Sequence, residues 1–152
     1  MDDVALVRAR TEDAGAIADV YLASFRATYD FPLAHDDDDV RRWIRAELLP
    51  TREVWVAIAH RRRIVALMAL ATDMIDQLYV APGWTGSGIG HRLVSLAKTR
   101  RPRGLDLYTF AVNSGARRFY ERHGFAEIEH GDGSGNEEGQ PDVRCAWRPP
   151  GA

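Results

Sequence analysis

Three glycines spaced two apart, Gly86, Gly88 and Gly90, stand in the stretch DQLYVAPGWTGSGIGHRLVSLAK, residues 76–98. They let backbone amides close on an oxyanion without side-chain obstruction. The helix expected directly after them, striped by Ile89, Leu93, Leu96 and Ala97, adds unpaired N–H donors and about half a positive charge of dipole. That is an anion cradle running from Thr85 to His91. Two other cradles are set aside by what surrounds it. A phosphate loop for ATP needs Lys-Ser/Thr after its last glycine, where this chain has His91-Arg92. A dinucleotide fingerprint spaces its glycines differently and carries an acid about twenty residues on. A second constellation, NSGARRFYERHGF at 113–125, has Asn113 opening a helix, Ala116, Phe119-Tyr120, then Gly124-Phe125 entering a strand. Asn113 and Tyr120 lie two helical turns apart and are expected to face the same way.

Together the two stretches resemble the GNAT superfamily of acyl-CoA-dependent N-acetyltransferases. Its pyrophosphate motif has the form Gln/Arg-x-x-Gly-x-Gly/Ala, and Thr85-Gly86-Ser87-Gly88-Ile89-Gly90 matches every glycine. Thr85 stands where Gln or Arg is usual, which removes a long polar side chain but no amide. The motif Asn-x-x-Ala-x-x-Phe-Tyr-x-x-x-Gly-Phe is matched in full. The resemblance implies a mixed α+β fold, a mostly antiparallel sheet of about six to seven strands splayed at the fourth and fifth, with about four helices. It also implies acetyl-CoA as donor. The backbone of Leu78, Tyr79 and Val80 would pair with the pantetheine arm, and Asn113 and Tyr120 would flank it. Amides of Thr85, Gly86, Ser87, Gly88, Ile89, Gly90 and His91 would hold the diphosphate. An N–H of Leu78 or Tyr79 would bond the thioester oxygen, an interaction typically worth ~3 kcal/mol.

Under the same resemblance Tyr120 is the general acid toward the departing thiolate. Asp76, two residues before Leu78 and so expected on its strand face, is either the candidate base acting through water or a loop-edge cap, and Asp73 is a second candidate base. The implied reaction moves an acetyl group directly, in a ternary complex, onto a primary amine of a small molecule or peptide. Acetylation of a protein N-terminus or lysine differs only in the acceptor groove. A non-catalytic acyl-CoA-binding regulatory module is the alternative of another class, and Tyr120 with an acid nearby speaks against it. Homodimers are frequent in this fold.

The 152 residues, 45% hydrophobic, suit one domain over 1–148 with a short tail at 149–152. With 20 basic and 22 acidic residues the net charge of -2 supplies no bulk field for nucleic acid. One cysteine, Cys145, excludes an intrachain disulfide and a multi-cysteine zinc site. The five histidines show no two-His helical spacing, so no metal is expected. Neither a secretion signal nor a run of roughly twenty apolar residues is present, which predicts a cytoplasmic protein without a membrane partner.

The positioning elements follow from pattern. Residues 4–9 predict an edge strand. From Thr11 a helix begins with Ile17, Val20, Tyr21, Ser24, Phe25 and Thr28 on one face. Phe25 and Tyr29 are either acceptor-site walls or ordinary core aromatics. HDDDD at 35–39 either attracts a cationic amine or caps the next helix, whose Val40, Trp43, Ile44, Glu47 and Leu48 share a face. Val54, Val56 and Ile58 alternate as a strand, HRRR at 60–63 makes a solvated turn, and Ile64–Ala71 reads as a central strand covered on both faces. Further strands are predicted at Leu105–Phe110, Phe125–Glu129 and Val143–Trp147. The long polar loop His130–Pro141 is placed beside the acceptor pocket, with Asn136, Glu137 and Glu138 as candidate substrate contacts.

Overall fold

The computed structural model describes residues 3–151. Its seven strands form two antiparallel half-sheets. The first has the order β1 (Ala5–Arg8), β2 (Glu53–Ala59), β3 (Arg63–Leu70), β4 (Ile75–Val80). The second has β5 (Leu105–Phe110), β7 (Asp142–Trp147), β6 (Ala126–Gly131). The halves touch where Met74 bridges Asp106 in parallel and the Asp106 amide donates to the Asp73 carbonyl at 2.9 Å. Beyond that point β4 and β5 diverge, as the fold expectation requires. Asp106 is 6% exposed and is held by Arg144 and Arg148. Burial opposes its charge, but the two guanidiniums outweigh that and keep the carboxyl below its ordinary range.

Strand β3 is the centre of the packing. Val65, Met68 and Leu70 face one apolar cluster, and Leu67 and Ala69 face the other. A strand covered on both sides has no polar face to alternate with, so its sequence reads apolar throughout. On one side lies α1 (Ala14–Thr28) together with α2 (Asp37–Trp43), which runs on through a π-helical turn (Ile44–Leu48) into the short α3 (Leu49–Thr51). On the other side lies α4 (Ile89–Arg100), burying Ile89, Leu93, Val94 and Ala97. The last helix, α5 (Ser114–Arg122), buries Tyr120. Asp36 caps α2 by accepting from the Asp39 amide at 2.9 Å, Asp37 pairs with Arg26, and Asp39 pairs with Arg42. The acidic run is thus engaged in capping and ion pairs.

Glu53 ties β2 to the end of α4. Its carboxylate accepts from Arg100 at 2.6 Å, from Arg101 at 3.2 Å and from the Trp55 indole at 2.8 Å. These donors, Arg100 foremost, hold its pKa down at about 2. A depressed carboxyl contributes stability that is full above its unfolded value of ~4.3 and is lost as pH falls through the folded value. Glu53→Gln should therefore cost about 1–3 kcal/mol in urea unfolding at neutral pH, and its gap to wild type should close between about pH 4 and pH 2. A gap unchanged through that window would show that the carboxylate's charge is not what matters.

Candidate active site

The opening between β4 and β5 becomes a cleft of about 1020 Å³ that runs from the glycine loop to the loop between β6 and β7. At one end the chain turns at Gly83 and Trp84 and enters the glycine loop. Gly86 and Gly88 have φ of +77° and +88°, conformations that L side chains avoid, and nothing lies within 4 Å of where their Cβ atoms would be. Gly88 is the N-cap of α4 and no side chain bonds that helix end, so its first amides are not capped by a side chain. The Ser87 hydroxyl donates to the Trp84 carbonyl and braces the loop from within. Thr85, Gly86, Gly88, Gly90 and His91 line the cleft. The side chain of Ile89 is core, and Ser87 is turned to Trp84, so either would reach a ligand only through its amide. Gly90 has a different reason to be glycine: a Cβ there would lie 3.2 Å from Phe119 Cζ.

Along the middle run Leu78, Tyr79 and Val80 on one wall and Asn113, Phe119 and Tyr120 on the other. Asn113 caps α5 by accepting from the Ala116 amide at 3.0 Å, and its NH₂ donates to the Tyr29 hydroxyl at 2.9 Å. The capping role and a place in the cleft wall thus coincide. Tyr120, 8% exposed, packs on Phe119 and Phe125, and burial pushes its phenol well above the ordinary tyrosine value. The alternatives left open for the first helix separate here. Phe25, 2% exposed, is core, whereas Tyr29 lines the cleft.

Asp76 also lines the cleft, but not on the expected face. The β3–β4 register slips between Ala69 and Leu70, so that Gln77 and Ile75 are paired and Asp76 is the extra residue. Ile75 and Leu78, three apart, consequently both face the α4 cluster, and strict alternation fails between them. The Asp76 carboxylate lies with Arg52, whose Nε is 3.3 Å from Oδ2, and acts on Tyr21 of α1 instead of sharing the Leu78 face. Asp73 is exposed and outside the cleft lining, so the second base candidate is not brought to the site.

At the far end the long loop folds back onto the segment between α1 and α2. Glu138 accepts from the Ala34 amide at 3.1 Å and Glu137 pairs with His35. Tyr21, which meets Tyr79 edge to face at 4.7 Å, is pushed up to about 12 by burial first, then by Glu138, with Glu137 and Asp76 adding to it. Three carboxylates therefore converge electrically on one phenol. Asn136 and Asp142 line the cleft nearby, bonded to each other at 3.2 Å. His123 lines the cleft and is not legible as a site residue in the sequence, while Tyr21 and Arg52 stand behind the lining, against Tyr79 and Asp76, where only the pairing of distant segments brings them.

The profile of the acetyltransferase (GNAT) domain matches residues 50–127, about half of the chain. A peptidyl-lysine N-acetyltransferase, YjaB of Escherichia coli strain K12, is 30% identical over 122 residues, 80% of this chain and 82% of the relative. The chain belongs to the GNAT acetyltransferase family. YjaB of Salmonella typhimurium is 31% identical over 118 residues, covering 78% of this chain and 80% of the relative. Among solved structures, apo YjaB from Escherichia coli superposes with a TM-score of 0.79 at 26% identity, covering 95% of this chain and 97% of that one. PaiA N-acetyltransferase from Thermoplasma acidophilum, solved with coenzyme A, has a TM-score of 0.74 at 19% identity over 96% and 99% of the two chains, a likeness of fold. This GNAT acetyltransferase uses an acyl-CoA, and its residues fit one: two positive-φ glycines with open space before them and a helix start without a side-chain cap suit a diphosphate. Among its described residues no helix is long and apolar enough to cross a membrane.

Proposed function

We propose that this GNAT domain, residues 1–148, acetylates the amine of a lysine side chain in a peptide or protein, with acetyl-CoA as donor. The observation that carries the acceptor class is the acidic surroundings of the cleft end away from the glycine loop: Asp76 and Asp142 line it, and Glu137 and Glu138 act with Asp76 on Tyr21, which packs behind the lining on Tyr79. A primary ammonium of pKa ~10.4 arrives charged and is attracted by carboxylates before it must be made neutral. The names of the YjaB relatives point to the same acceptor. Small-molecule amines would meet the same field and are the second reading.

The bound cofactor supplies an acetyl group activated as a thioester. The chain's own residues do the rest. Main-chain amides from Thr85 to His91 would hold the diphosphate end, and the free edge of β4 at Leu78–Val80 would align the arm, with an N–H of Leu78 or Tyr79 available to the thioester oxygen. Asp76 has one oxygen engaged by Arg52 and the other available to a water, through which the ammonium proton leaves. Tyr120 would donate its hydroxyl proton toward the departing sulfur. Nitrogen would gain the acetyl group as the carbon–sulfur bond breaks, and the second proton it sheds would return the Tyr120 phenol to its neutral form.

An acceptor screen by free-thiol release tests this. Peptides with one lysine and a blocked N-terminus should turn over, and the same peptides with arginine in place of lysine should not. Turnover confined to polyamines or aminoglycosides would overturn the lysine reading. In Glu137→Gln/Glu138→Gln, KM for the lysine peptide should rise about 3- to 10-fold at low salt and by less at high salt, with kcat nearly unchanged. A rise of equal size at both salt concentrations would argue for lost loop geometry instead of lost field.

A further inference from the structure

Behind the glycine loop, α4 and α5 bring two imidazoles together. His91, in the first turn of α4, and His123, at the end of α5, have ring centroids 5.0 Å apart and both line the cleft, with Arg122 beside them. Phe119 packs on the His123 ring at 4.4 Å and also closes against Gly90, so the pair is fixed to the loop it adjoins. The charged groups acting on His123 are His91, Lys98 and Arg122, all basic. Lys98 donates to the His123 carbonyl and lies over the Phe125 and Trp147 rings. Arg92, next to His91 on α4, is turned to the Val4 carbonyl at 2.7 Å. Glu121 of α5 is exposed and is not among the groups acting on His123.

Such a pair is frustrated without an anion. Burial first, then the neighbouring bases, push His123 below the ordinary histidine range, and His91 stands in the first turn of α4 beside it. A phosphate lodged at the glycine loop reverses the balance, because it favours the imidazolium that burial and the neighbouring bases disfavour. Building on the cofactor reading above, we infer that His91 and His123 act as a proton-linked clamp on the cofactor's phosphates, taking up a proton as it binds and gripping it more tightly as pH falls. The shared chemistry is phosphate. The cofactor offers two sources, the diphosphate and the phosphomonoester on its ribose.

Calorimetric titration separates them. Dephospho-CoA carries only the diphosphate, which does not titrate near neutrality, while the phosphomonoester of coenzyme A has a second pKa of ~6. With wild-type protein, dephospho-CoA should bind about 10-fold tighter at pH ~6 than at pH ~8, one pKa unit of a histidine being a factor of ten. Comparing buffers of different ionisation heat at pH ~7 should show net proton uptake. Uptake with coenzyme A that is lost in His91→Gln/His123→Gln, but absent with dephospho-CoA, would assign the clamp to the phosphomonoester. In that double variant the pH dependence with dephospho-CoA should shrink to about twofold. Ring-proton NMR on wild type is independent of any folding defect in the variant, and the His123 ring should titrate at higher pH in the complex. Binding with no proton uptake from either ligand and unmoved histidines would overturn the clamp while leaving the cradle intact. No binding of either ligand at any pH would instead overturn the cradle.

Discussion

Tyr120→Phe is expected to slow acetyl transfer by about 100- to 1,000-fold while leaving cofactor affinity within about threefold, the range ordinarily contributed by a positioned acid. The substitution removes one oxygen. The ring contacts with Phe119 at 5.2 Å and Phe125 at 5.6 Å, and the burial that makes Tyr120 part of the core, are kept. A loss confined to kcat would therefore report the hydroxyl and not the packing. Burial pushes the phenol up, and a sulfur leaving into the same apolar surroundings also becomes more basic than in water, so the two remain matched as donor and acceptor. A phenol raised in this way stays protonated beyond pH ~10, its ordinary value. The alkaline limb of the rate profile should accordingly show no fall from loss of this proton. Free-thiol release with every accepted amine is the measurement, and a full rate in the phenylalanine variant would remove Tyr120 from the chemistry.

What could be seen in the sequence divides along the distance over which structure is specified. The glycine loop and the Asn113–Phe125 helix are local devices, with turn, cap and stripe contiguous in the chain, and they sit where their spacing put them. The apolar run of β3 similarly announced a strand covered on both faces. Asp76 shows where this kind of reading stops. Period-two alternation predicts its face, and a single slipped residue in the β3–β4 ladder turns it toward Arg52 and Tyr21. A bulge is a property of a pairing, and the partner strand is not visible in the residues of β4 alone. The acidic rim is similarly non-local. Glu137 meets His35 and Glu138 meets the Ala34 amide across more than a hundred residues, so the acidic run at 35–39 and the loop at 132–141 could be read separately but not together. His123 was hidden for a third reason. It sits inside the Tyr-x-x-x-Gly-Phe motif at a position the motif leaves open, and only its approach to His91 makes it notable.

Gly88→Val is expected to weaken acetyl-CoA binding by about 30-fold or more with little loss of the ligand-free fold, because an L residue forced into left-handed backbone costs roughly 1–2 kcal/mol and a β-branched one more. Gly88 holds φ at +88° as the N-cap of α4. If valine keeps that geometry, the strain is borne by the loop and the side chain projects into the open space where a phosphate would sit. If valine relaxes it, the amides of Gly88 and its neighbours no longer converge. Either way binding suffers while the core below, with Ile89 and Leu93 buried, is not crowded. Gly90→Ala makes the contrasting case. Its Cβ would meet Phe119 Cζ at 3.2 Å, so the damage there passes through the aromatic wall and His123 instead of through the backbone. A thermal-shift titration distinguishes the two. At a hundredfold excess over the wild-type Kd, acetyl-CoA should stabilise wild type by about 2.7 kcal/mol, and a ~30-fold weakening in Gly88→Val should cut that gain to about 0.9 kcal/mol or less. A valine variant stabilised as strongly as wild type would mean that the diphosphate is held elsewhere, and the placing of the thioester beside Tyr120 would lose its anchor.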